Sequence, residues 1–160
     1  MERARVSARK ALALGAISGL RSASGPAFVS RAAGRGDMHL SGTRLAFLGS
    51  PLLSKALTVM QLGETVGDKL PMTPSRTTIL PLLGRATSGG LVGAAAFVSE
   101  DRRAATGAIL GSSAAVAAAY AGEGLRALLG TSSGLPDPVV ALAEDAVVLV
   151  VGNRASKDLR

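Results

Sequence analysis

Two adjacent carboxylates, Glu144 and Asp145, lie inside the apolar run VVALAEDAVVLVV at residues 139–151. A second pair, Glu64 and Asp68, follows the run LAFLGSPLLSKALTVMQL in the stretch GETVGDKLP, with Lys69 beside it. At i and i+4 the second pair shares one helix face. Charges inside apolar segments are costly, so they face a protein interior or a water-filled cavity and pair, bind ions or relay protons there. Arg21, Arg85 and Arg126, each within or at the end of an apolar segment, are the basic groups available to meet these acids. Three chemistries fit this set. The carboxylates could bind or relay a cation or proton, with the basic groups holding them apart and favouring their ionised forms against desolvation. The same pairs could serve only as interhelical pins in a non-transporting scaffold. They could also line a polar pocket for a lipid or another small partner.

The elements that must position these groups are helical and very apolar. Of the 160 residues 48% are hydrophobic, and mean hydropathy is +0.35. Ala, Leu, Val and Gly dominate, with three Phe, one Tyr and no Trp, so the composition suits close helix approach better than a core of large side chains. The run Ala104 to Gly122 is uncharged over 19 residues, close to the ~20 that cross a bilayer. Four further segments qualify when internal charges are tolerated: Ala11 to Ser30 with Arg21, Leu45 to Gly63 with Lys55, Thr77 to Ser99 with Arg85, and Pro138 to Gly152 with Glu144 and Asp145. The expectation is an all-α integral membrane bundle of four or five short Gly- and Ala-rich helices spanning residues 11–152. Basic tails at 1–10 and 153–160 flank it. Breaks are expected at Ser24 to Pro26 and at Leu80 to Gly84, where Pro removes a backbone donor.

Gly15 with Gly19, Gly89 with Gly93, and Gly107 with Gly111 each place two glycines on one helix face. They point to a compact bundle and to self-association through Gly-rich faces. GLR recurs at 19–21 and 124–126, and LGE at 62–64 is echoed by LAE at 142–144. Two units separated by one helix would form an inverted repeat, an architecture of transporters.

Net charge of +7 raises the question of nucleic acid, but no aromatic residues interleave with the Arg residues to stack on bases. Anionic lipid head groups are the better match for the excess charge, and no nucleic-acid partner is expected. The absence of cysteine rules out disulfides and thiol chemistry. His39 stands alone in a connecting loop and is read as solvated, as is EDRR at 100–103. No phosphate loop, GxSxG or metal-ligand run is present, so neither an enzyme nor a cofactor is expected. A signal peptide would need the apolar stretch ALALGAISGL to lead to cleavage near Gly25, and Arg21 stands between the two. With five spans the basic residues divide six against eight across the membrane, which leaves orientation open.

GAISGLRSASGPAFVSRA, LGETVGDKLPMTPSR, GRATSGGLVGAAA and DPVVALAEDAVVLVV, in that order, resemble the small bacterial membrane proteins grouped as domain of unknown function 4126. The resemblance covers roughly residues 11–152. It implies a multi-span helical protein of the inner (plasma) membrane and brings no activity or ligand with it. ETVGDK is also similar to the Glu-x-Gly-Asp-Lys-Ser/Thr motif of a family of calcium and manganese exchangers, which implies a divalent cation as a substrate to test. Here one extra residue separates Glu64 from Gly67, Leu70 replaces the hydroxyl residue, and the second half carries no copy of the motif.

Overall fold

The computed structural model describes residues 2–67, 77–132, 142, 146–152 and 154, and within that range the chain is helical with no strand. The helices are α1 (Glu2–Leu20), α2 (Ser24–Gly34), α3 (Pro51–Gly67), α4 (Ile79–Val98) and α5 (Ala104–Ser132). A 3-10 turn, Ala46–Gly49, precedes α3, and residues 146–152 are also helical. The residues read as a basic tail therefore form the first half of α1.

Ala11 to Ser30 is not one span. Strong helix formers carry α1 to Leu20, and the chain then breaks at Arg21 to Ala23 and starts α2 at Ser24. The break falls immediately before the expected Ser24 to Pro26, because Pro26 fits the first turn of α2, where amides lack helical acceptors anyway. After the break α2 folds back. A Cβ added at Gly25 would meet the Ser18 side chain and lie 3.1 Å from the Leu14 carbonyl oxygen. The helix stops in RAAGRGD, where Gly36 at φ 79° lets its own amide bond to Ala33 and the Asp37 amide bond to Ala32. The following loop returns to the amino-terminal end of α1, where His39, Ser41 and Thr43 share a cleft of about 720 Å³ with Val6 and Ser99 to Asp101. Together α1 and α2 are a helical hairpin with its tip at residues 21–23.

The expected break at Leu80 to Gly84 is absent: Pro81 lies in the first turn of α4, and the helix runs on without interruption. Beyond Gly122, α5 continues by ten residues.

The tightest packing joins α1, α4 and α5. All three glycine pairs lie in that seam. An added Cβ at Gly15 would strike Gly111, at Gly19 Ala115, and at Gly93 Gly107. Helix α5 thus runs parallel to α1 and antiparallel to α4. The faces expected to serve self-association are consumed within one chain, so assembly of copies would have to use other surfaces.

Around this core, large apolar side chains face outward while several polar ones are buried. Leu52, Ile79 and Leu80 are each about 80% exposed, while Ser7, Ser18, Ser24, Ser30, Arg21 and Arg85 are buried. Among the described residues two helices, Ile79–Val98 and Ala104–Leu128, are long and apolar enough to cross a membrane. Only 39% and 22% of their apolar windows are buried, whereas the core helix of a soluble domain would be mostly covered.

Candidate functional site

Breaking a helix in the interior leaves carbonyls at one new end and amides at the other with no helical partner. Two charged side chains from other helices serve these ends. Arg85, on α4, donates through Nη1 to the carbonyls of Gly19 (2.9 Å) and Leu20 (3.0 Å), the last residues of α1. Glu64, near the end of α3, accepts at Oε1 from the Ser22 amide (2.8 Å) and the Ser22 hydroxyl (3.0 Å), and at Oε2 from the Ala23 amide (2.9 Å). Each charge has the sign that its helix end favours: cation at the carbonyl end, anion at the amide end. Arg85 Nη2 lies 3.9 Å from Glu64 Oε1, and the two side chains are 6% and 16% exposed. At that separation the pair is a loose contact, and the short bonds to backbone do most of the positioning.

Arg21 is buried within the tip itself. Ser24, the first residue of α2, is fully buried, and its Oγ has no hydrogen-bond partner among the described residues. Arg126 is half-buried on α5, one turn after Glu123.

Of the expected site residues, then, the structure brings Arg21, Glu64 and Arg85 to one place. Asp68, Lys69, Glu144 and Asp145 lie outside the described residues. The second GLR (124–126) lies inside α5, whereas the first marks a helix end. The two units of the expected repeat therefore differ where they should correspond. Sequence reasoning paired acids with bases and missed the backbone at residues 19, 20, 22 and 23. The serine cluster in RSASGP was the available signal, since such side chains compete for backbone bonds at helix starts.

A second polar contact lies at the opposite end of α1. Glu100, in the turn after α4, accepts from Lys10 Nζ (2.7 Å) and from Ser7 Oγ (2.5 Å), so EDRR is only partly a solvated turn. Burial pushes the Glu100 carboxyl up, but the bonds from Lys10 and Ser7, with the charges of Lys10 and Arg102, outweigh it and hold the group below its ordinary value. A depressed carboxyl stabilises the fold above its unfolded-state pKa and loses that contribution as pH falls through the lower folded value. Thermal stability of the detergent-solubilised protein is therefore expected to drop as pH falls below about 4.5. In Glu100→Gln that part of the profile should flatten, at a cost of about 1 kcal/mol at neutral pH, as read by circular dichroism melting.

His39 is exposed, as expected. Among the described residues no group of three or more His, Asp or Glu is placed to hold a metal.

An all-helical chain with outward apolar faces, two helices fit to cross a membrane and a charged helix break inside defines the class. Residues 10–155 match the family described as domain of unknown function (DUF4126), and the chain belongs to that family. No curated protein and no solved structure matches the chain.

Proposed function

We propose that this is a multi-pass protein of the cell inner (plasma) membrane that carries a cation or proton through the tip of the α1–α2 hairpin, with Glu64 as the exchanging carboxylate. The observation that carries this reading is the convergence of Glu64 and Arg85, from two different helices, on a broken helix whose first residue holds the unpartnered Ser24 hydroxyl. A continuous helix would need neither charge. Broken helices with ends aimed at charged groups are how transporters build midplane sites.

The chemistry follows from what Glu64 accepts. Ionised, its two oxygens hold the amides of Ser22 and Ala23 and tie α3 to the hairpin tip. Protonation or cation binding at the carboxylate competes with those amides and with Arg85, and so loosens α3 from the tip. Return of the ionised form re-forms the bonds. Arg85 remains anchored to the α1 carbonyls throughout and keeps the site from collapsing.

Proton, sodium, potassium, magnesium, calcium and manganese flux in proteoliposomes, with Glu64→Gln as control, tests the proposal. Flux lost in a folded variant supports it. No flux with either protein, together with a lower melting temperature for the variant, supports the scaffold reading. That alternative rests on the three donors that already engage both oxygens of Glu64.

A further inference from the structure

The structure changes how the basic residues divide. Lys10 and Ser7 touch Glu100, and Val6 shares a cleft with residues 39–43 and 99–101, so the start of α1, the loop after α2 and the α4–α5 turn meet at one end of the molecule. A five-span reading sets Arg5, Arg9 and Lys10 across the membrane from Arg35, Arg44, Arg102 and Arg103. Folding back of the hairpin puts all seven together, opposed only by Asp37, Glu100 and Asp101 among the described side chains of these segments. Asp37 and Glu100 are themselves paired, with Arg35 and Lys10. Arg5, Arg9, Arg35, Arg44 and Arg103 are exposed, and Arg102 lies over the Phe97 ring at 4.9 Å, a rim position where a cationic head reaches out from an apolar base.

Depth is consistent with this. From Lys10 to Leu20 α1 rises about 15 Å, and α2 returns over the same about 15 Å, each close to half of a ~30 Å hydrocarbon core. Arg85 lies about 20 Å along α4 from Val98, so the tip is well inside the span that α4 defines. Irregular backbone at that depth is tolerated only where protein covers it, and Arg21, Ala23 and Ser24 are all buried.

We infer that α1 and α2 form a re-entrant hairpin, and that its base, the N-terminal turns of α1, the 35–44 loop and the 99–103 turn, is one basic face resting on the anionic head groups of the cytoplasmic leaflet. This rests on the membrane reading above but not on transport. The positive-inside rule then sets the orientation that the sequence left open.

The chain has no cysteine, so single-cysteine reporters need no background removal. Val6→Cys, Ser41→Cys, Ala104→Cys and Leu128→Cys, all at exposed positions, would be expressed in bacterial cells and treated with a membrane-impermeant maleimide in spheroplasts and in inverted vesicles. The expected result is labelling of Val6→Cys, Ser41→Cys and Ala104→Cys in inverted vesicles only, and of Leu128→Cys in spheroplasts only. Adding Arg5→Glu, Arg9→Glu and Arg103→Glu should shift the labelling ratio of Ala104→Cys by about tenfold or more towards the opposite face. Labelling of Val6→Cys and Ser41→Cys from opposite sides would overturn the hairpin, and an unchanged ratio in the charge-reversed protein would overturn the lipid contact. Recovery of the protein in the supernatant without detergent would instead sink the membrane reading itself.

Discussion

Gly111→Leu is expected to abolish assembly of the three-helix seam, giving aggregated protein on size-exclusion chromatography in detergent. Gly111 is where α1, α4 and α5 meet. A Cβ alone would strike the Gly89 carbonyl oxygen and lie 2.9 Å from the Gly89 carbonyl carbon and 3.0 Å from Gly93 Cα. Those neighbours are backbone, which cannot rotate away. Gly15 in turn approaches the Gly111 carbonyl, so moving one helix displaces the other two. Even Gly111→Ala should cost about 3 kcal/mol, at the upper end of ordinary overpacking. The contrasting site is Gly63 on α3, where an added Cβ meets nothing within 4 Å. Gly63→Ala should be neutral or stabilising by up to about 1 kcal/mol, because alanine restricts the unfolded chain and favours helix. Circular dichroism is the suitable readout, since the chain lacks tryptophan.

The second large effect is at the tip. Glu64→Ala is expected to cost about 2–4 kcal/mol, since it strips two partly buried amides and a hydroxyl of their acceptor and removes a carboxylate 3.9 Å from Arg85. Arg85→Ala should cost a similar amount by uncapping the Gly19 and Leu20 carbonyls. The double variant separates two accounts of the site. If each side chain serves mainly its own helix end, the losses add to within about 0.5 kcal/mol; a direct ion pair would leave the double variant much less destabilised than the sum. Near-additivity is expected, because the closest approach of the two groups is 3.9 Å while every backbone bond is 3.0 Å or shorter.

Much of the framework was legible in composition and spacing. Thr77 to Ser99 became Ile79–Val98, and the uncharged run at Ala104 opened α5, because apolar length is a local property. The glycine pairs were legible as contact faces for the same reason. Their partners were not: whether Gly15 meets another chain or Gly111 of its own depends on how distant segments dock. The direction of α2 was equally hidden. Arg21 and the Ser and Pro residues after it announce a break, but a break states nothing about the angle taken next, which is set by Gly25 settling against Leu14 and Ser18. At the site, Arg21, Glu64 and Arg85 stood out as charges in apolar surroundings. The groups that Glu64 and Arg85 hold did not, since backbone amides and carbonyls are signalled only indirectly, here by the serines that favour a helix start.

The tip also bears on the order in which the protein is made. Residues 19–23 leave the ribosome first, yet the groups that satisfy them arrive later, Glu64 some forty residues on and Arg85 more than sixty. Until α4 supplies Arg85, the Gly19 and Leu20 carbonyls lack the donor that serves them in the fold. For a hairpin that re-enters a bilayer, as proposed above, the tip would then reach its final depth only after α4 has been made. The tip would thus be made early and completed late, and its assembly would run against the direction of synthesis.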